Sequence, residues 1–253
     1  MLPYHDENET QRTAVVTIAL IATNVVVWLG VQGAGLSDAL VTSICDFGLI
    51  PAALTGAVAS GTQVPVGPGT VCGVSGPVFQ TWHVVASMFL HASWMHLLGN
   101  MWFLWLFGNN IEDSMTRGRF AAFFLLCGIA AAALQVIADP DSVIPMVGAS
   151  GAISGVMGAY LVLYPRVRVF TLVPLGFFIT TVALPAWVML LYWAGLQLLS
   201  GLATLTDTRP GGVAFWAHFG GFLAGVLLVK VFERPERAAA HGARSWHPRQ
   251  PGW

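Results

Sequence analysis

The chain of 253 residues is 56% hydrophobic and only 9% charged, with a formal net charge of −1 and a mean hydropathy of +0.71. One water-soluble core cannot hide that much apolar surface, so lipid must be the solvent for most of the chain. The near-neutral charge gives no reason to expect nucleic acid as a partner.

Residues 1–12 form a tail whose carboxylates (Asp6, Glu7, Glu9) suit neither a signal peptide nor an Arg-rich transit peptide, so the first apolar run is expected to stay in the mature protein. Residues 13–232 read as a membrane core with six stretches able to cross about 30 Å of hydrocarbon at about 1.5 Å per residue. These are Ala14 to Val31, Met88 to Gly108, Phe120 to Ile137, Val147 to Tyr164, Leu184 to Leu202 and Val213 to Phe232. The expected fold class is an all-α polytopic membrane protein, a bundle of six transmembrane helices. Neither an internal repeat nor inverted hydropathy symmetry is visible. The tail 233–253, rich in Pro, Arg and His, is expected to be disordered.

The loop 34–87 is far longer than the others and has no Lys or Arg. FGLIPAALTG (Phe47 to Gly56) and GPGTVCGVSGPVFQTW (Gly67 to Trp82) read as short helical pieces and turns in the membrane interface, where Trp82 would be at home. Cys45 and Cys72 fall in this loop, either as a disulfide or as two free thiols, and Cys127 falls in the third span as an inert packing residue.

Basic residues in short loops resist translocation. With both termini in the cytoplasm, Arg12, Arg117, Arg119, Arg166, Arg168, Lys230, Arg234, Arg237, Arg244 and Arg249 lie inside and only Arg209 outside. The expected location is the bacterial cytoplasmic membrane, with multiple passes and both termini cytoplasmic.

Polar groups in a span are costly and so point to function. No carboxylate falls in a span, which leaves an aspartate-dyad protease or a carboxylate-driven pump without residues. His91 and His96 lack an HExxH pattern and a third ligand, so neither a metal nor any other cofactor is expected. The polar residues singled out are His96, Asn100, Ser150, Ser154 and His218. Ser150, in GASG (Gly148 to Gly151), lies about 8 Å below the outer surface by helix rise, and His218, five residues after Val213, lies equally deep. Gly151, Gly155 and Gly158 on the fourth span and Gly221 and Gly225 on the sixth permit near backbone contact.

A serine hydroxyl needs a base to take its proton, and imidazole is the natural one near neutral pH, which pairs Ser150 with His218. No Asp stands ready to orient the imidazole, so a dyad is expected rather than a triad. Asn100 and His96, four residues apart on one helix face, are the expected oxyanion donors together with the Ser150 backbone N–H. Taken singly, each residue has a duller explanation. A Ser in a membrane helix usually back-bonds to its own turn, and a lone His or Asn is usually packing or interhelical glue. Their matched depth and complementary roles favour catalysis.

HASWMHLLGNMWFLWLFGNNIED (His91 to Asp113), GASGAISG (Gly148 to Gly155) and AHFGGFLAG (Ala217 to Gly225) resemble, in order and spacing, the three motifs of the rhomboid intramembrane serine proteases. The resemblance runs from about Asp6 to Val231. It implies a rhomboid-like six-helix core, Ser150 as nucleophile, His218 as base, Asn100 and His96 as oxyanion donors, and His91 as a structural histidine. It also implies a water-filled cavity open to the outside and substrates with a single, locally unstable membrane helix. The chain departs from the family at His83, where many members have Arg after Trp, and at Ser154, where some carry an aromatic ring that stacks on the catalytic histidine. Rival readings are an inactive rhomboid-like protein that binds transmembrane helices, and a channel or transporter.

Overall fold

The structure is a computed structural model and describes residues 2–67, 70–175, 178–204 and 213–244. It is mostly helical. The principal helices are α1 (Val15–Gly30), α5 (Trp94–Ser114), α6 (Arg117–Ala138), α7 (Ser150–Leu163), α8 (Ala186–Thr204) and α9 (Phe215–Phe232). Among the described residues, α6, α8 and α9 are long and apolar enough to cross a membrane, and α1 and α7 are shorter apolar helices.

The second apolar stretch was expected from Met88, yet α5 begins only at Trp94. Ser93 is the reason: its side chain accepts the His96 N–H, a side-chain N-cap that fixes where the helix starts. Just before it, the Gln32 amide clips the backbone of His91 on both sides, donating to the His91 carbonyl at 2.8 Å and accepting its N–H at 2.7 Å. The other end of α5 carries Glu112 and Asp113. Glu112 accepts the N–H groups of Val16 and Thr17 and the Thr17 hydroxyl at 2.7–2.9 Å, so it caps α1, whose own N-cap residue Ala14 has no side-chain acceptor. Asp113 takes the Gln11 N–H and the Arg12 guanidinium.

Helix α7 runs through the middle of the bundle, with every residue from Gly151 to Tyr160 buried. Its close neighbour is α9. A Cβ at Gly221 would fall inside van der Waals contact of the Gly151 carbonyl, and one at Gly225 inside that of Gly155. On the other side, Gly155 sits against Cys127 and Gly151 against Ala131, both on α6. Small residues therefore let three backbones meet, as the glycine spacing predicted. The apolar core around them includes Trp28, Phe107, Phe120, Phe123, Phe124 and Tyr160.

Three differences from the expected architecture follow. The chain is not purely helical: β1 (Leu2–Asp6), β4 (Arg168–Leu175) and β5 (Phe178–Pro185) form an antiparallel sheet in the order β1-β4-β5. The segment between Arg168 and Pro185 is dense in Val, Thr and Phe, which favour a pleated strand, and its uncharged character hid a hairpin inside what read as a loop leading into the fifth span. The long first loop also holds strands besides its helices. It contains α2 (Ser37–Phe47), α3 (Pro51–Thr55), the hairpin β2 (Gln63–Gly67) and β3 (Thr70–Gly73), and α4 (Pro77–Ala86), with a Cys45–Cys72 disulfide joining α2 to β3. Finally, the tail expected to be disordered carries α10 (Pro235–Arg244), while residues 245–253 lie outside the described residues. Pro235 suits a first helical turn, Glu236 faces the positive end of the dipole, and the Arg237 guanidinium bonds the Met115 carbonyl.

The N-terminal strand is pinned by a buried polar knot. Asp6 accepts from the Tyr160 hydroxyl at 2.5 Å and the Asn110 amide at 2.9 Å. Burial pushes its carboxyl up to about 7, although those hydrogen bonds pull the other way.

Candidate active site

Gly148 has φ +118°, a left-handed value that a side chain resists, and a Cβ there would strike the His96 ring. Its N–H donates to the Ser87 carbonyl at 2.9 Å, which anchors the turn. The chain can thus bend sharply before Ser150, which becomes the first residue of α7. The first N–H groups of a helix have no intrahelical partner, so this end of α7 offers backbone donors and the positive end of a dipole beside the hydroxyl.

His218 lies in the first turn of α9. The neighbouring Ala217 N–H donates at 3.2 Å to Gln135 Oε1 of α6, which supplies a cap that Ala214 lacks. The His218 Nε2 lies 2.8 Å from Ser150 Oγ, and its Nδ1 lies 2.8 Å from Gln197 Oε1 on α8. Both are hydrogen-bond distances. Trp193, one turn before Gln197, tilts its ring over the imidazole with centroids 6.0 Å apart, and also meets Phe222. The aromatic neighbour that Ser154 cannot supply comes here from another helix. Ser154 itself is buried and donates to the Ser150 carbonyl at 2.6 Å, so its hydroxyl is bonded within its own helix.

His96 and Asn100 stand on the side of Ser150 facing α5. The His96 ring lies against Gly148, and its Nδ1 accepts the Ala92 N–H at 3.3 Å. Asn100 is buried and turns its amide back on its own helix, donating to the His96 carbonyl at 2.8 Å. The structure therefore brings Ser150, His218 and His96 to one place, with Asn100 one turn deeper. His91 is fully buried and sets its ring edge-on to His96 at 5.0 Å. Gly151 and Gly221 hold α7 and α9 together, and Gly225 repeats the contact farther along.

A cavity of about 40 Å³ opens beside Ser150, lined by small or flexible groups including Ser87, Met88, Gly148, Ala214 and Ala217. That is room for water at the hydroxyl. His83, in the interfacial helix α4, is buried, and desolvation lowers its pKa despite a hydrogen bond to the Gly48 backbone and the nearby Asp46. It is a packing residue of the loop in which many rhomboids have Arg. Among the described residues, no cluster of His, Cys, Asp and Glu could hold a metal ion.

Gln197, Gln135 and Gln32 went unnoticed in the sequence. The signal was available for two of them, since Gln135 and Gln197 are amides inside apolar spans and are costly there unless satisfied.

A family model described as Rhomboid domain matches residues 78–235. The chain is 28% identical over 174 residues to "Rhomboid protein 1, mitochondrial" of Saccharomyces cerevisiae, covering 64% of this chain and 46% of the relative. To "RHOMBOID-like protein 7" of Arabidopsis thaliana it is 32% identical over 156 residues, 59% and 42% of the two chains. To "Rhomboid protease GluP" of Bacillus subtilis it is 28% identical over 163 residues, 64% and 28%. The chain thus spans about half or less of the length of these relatives.

Proposed function

Because the chain belongs to the rhomboid family, whose members are embedded in membranes, we propose that it is an intramembrane serine endopeptidase with Ser150 as nucleophile and His218 as general base. The strongest support is the 2.8 Å approach of His218 Nε2 to Ser150 Oγ across two helices held at backbone contact. Of the three relatives named above, the one from Bacillus subtilis carries the word protease in its name.

Six spans cross the bilayer in this reading, formed by α1, α5, α6, α7, α8 and α9, with 1–12 and 233–253 as cytoplasmic tails and loop 34–87 on the outer side. The location is the bacterial cytoplasmic membrane. The substrate is a single-pass membrane protein whose helix unwinds locally at the cut, since a peptide bond in a regular helix is shielded by its own hydrogen bonds. As Ser150 Oγ bonds to the carbonyl carbon, its proton passes to His218 Nε2. The tetrahedral oxyanion takes hydrogen bonds from the Ser150 N–H, His96 and Asn100, the last after its amide leaves the His96 carbonyl. The carbon–nitrogen bond then breaks, the departing amine takes the proton from Nε2, and an acyl-enzyme remains. Water from the cavity beside Ser150 gives a proton to Nε2 and attacks the ester, releasing the acid and regenerating the hydroxyl.

The test is cleavage of a single-span reporter in liposomes by the wild type, Ser150→Ala and His218→Ala, with fluorophosphonate labelling of Ser150. Cleavage by the wild type alone, with a covalent adduct on Ser150, is expected. A wild type that neither cuts nor labels sinks the protease reading.

A further inference from the structure

Two side chains of one helix grip the imidazole of His218. Trp193 and Gln197 are four residues apart on α8, so they share a face, and that face meets α9. Gln197 Oε1 is an acceptor with no proton to give, so the 2.8 Å contact it makes with Nδ1 is a hydrogen bond when Nδ1 carries the hydrogen. A neutral imidazole with its proton on Nδ1 has its lone pair on Nε2, aimed at Ser150 Oγ. This is the tautomer that can accept the serine proton. With the amide oxygen turned to the ring, the opposite tautomer would present an N–H to the hydroxyl and leave two lone pairs facing each other at Gln197. We propose that Gln197 is the positioning residue of the catalytic centre, and that it selects the reactive tautomer of His218 without contributing a charge.

The inference rests on the protease reading and adds a consequence to it. A carboxylate at this place in a serine protease both orients the ring and stabilises the imidazolium that forms during attack. An amide does only the first. The other polar groups on this side of the ring are the Ser150 hydroxyl of α7 and, past Gly148, the His96 imidazole of α5, neither of which brings a negative charge. Trp193 limits tilting of the ring from the α8 side, so both the angle and the proton position depend on α8 staying against α9.

Gln197→Met keeps the length of the side chain and removes the acceptor, whereas Gln197→Glu keeps the acceptor and adds a charge. In reporter cleavage, Gln197→Met is expected to lower kcat about 10- to 100-fold with KM within about twofold, the signature of an interaction that matters only as the transition state forms. Fluorophosphonate labelling of Ser150 should slow in parallel. Gln197→Glu is expected to recover most of the rate and to move the acid limb of the pH–rate profile up by about one pH unit, because the carboxylate favours the imidazolium. A side chain that merely packs would not move that limb. A wild type that cuts, with Gln197→Met equal to it in kcat or Gln197→Glu unshifted in pH profile, overturns the assignment of Gln197 and leaves the dyad standing. Should the wild type itself neither cut nor label, the protease reading falls and takes this inference with it.

Discussion

Replacing Gly221 with alanine adds one methyl group where α9 meets α7, and the structure has no room for it. The new Cβ would overlap the Gly151 carbonyl, while Ala131 of α6 would lie at ordinary contact distance. The obstacle is hard, because it is backbone and has no rotamer to escape into. The helices must part by an ångström or so, and forced overpacking of this kind costs about 1–3 kcal/mol. For a chain of this size that lowers Tm by roughly 2–12 °C. Activity should suffer more than stability. Gly151 follows Ser150 and Gly221 lies three residues after His218, so parting the helices stretches the 2.8 Å Ser150–His218 contact beyond hydrogen-bond range. Reporter cleavage is expected to fall at least about 100-fold, the loss typical of a misplaced catalytic group. Gly118→Ala is the control, because a Cβ there meets nothing within 4 Å. Thermal unfolding in detergent and reporter cleavage, run on both variants, decide the matter. Wild-type Tm and turnover in Gly221→Ala would refute the claim that backbone contact aligns the dyad.

Glu112→Ala removes three hydrogen bonds from the start of α1, and a loss of about 2–4 kcal/mol is expected, with Glu112→Gln falling between it and the wild type in thermal unfolding. Asp6 makes stability depend on pH. Its folded pKa of about 7 lies above the ordinary 3.8, so the folded state holds a proton that the unfolded state has lost. Stability then falls by up to about 1.4 kcal/mol per pH unit between about pH 4 and 7 and levels off above, a slope that Asp6→Asn should abolish in Tm measured against pH. The Cys45–Cys72 bridge closes a loop of sequence separation 27 and should contribute about 3–4 kcal/mol to the first loop. Alkylation with and without reductant should differ in mass by two modified thiols, and reduction should lower Tm.

The sequence by itself determined the long apolar runs of α6, α8 and α9, the intimate α7–α9 contact and the approach of His218 to Ser150, because each depends on local composition: long uncharged runs, glycines at helical spacing, and isolated polar groups among apolar ones. Even the start of α5 was encoded nearby, in the Ser93 cap. Three things were decided only by tertiary structure. Glu112 caps a helix about a hundred residues away, and no local pattern announces which N–H groups a carboxylate will meet. The hairpin β4–β5 and the docked α10 lie in segments whose composition also fits a loop or a free tail, so their form depends on β1 and on the carbonyl of Met115 being within reach. The same holds for the orientation of His218. Nothing near it in the chain orients its ring; Gln197 and Trp193 do so from α8, across a connection that the sequence leaves unspecified. A tautomer is set by the hydrogen bond at the far nitrogen, and that partner exists only once the helices have packed.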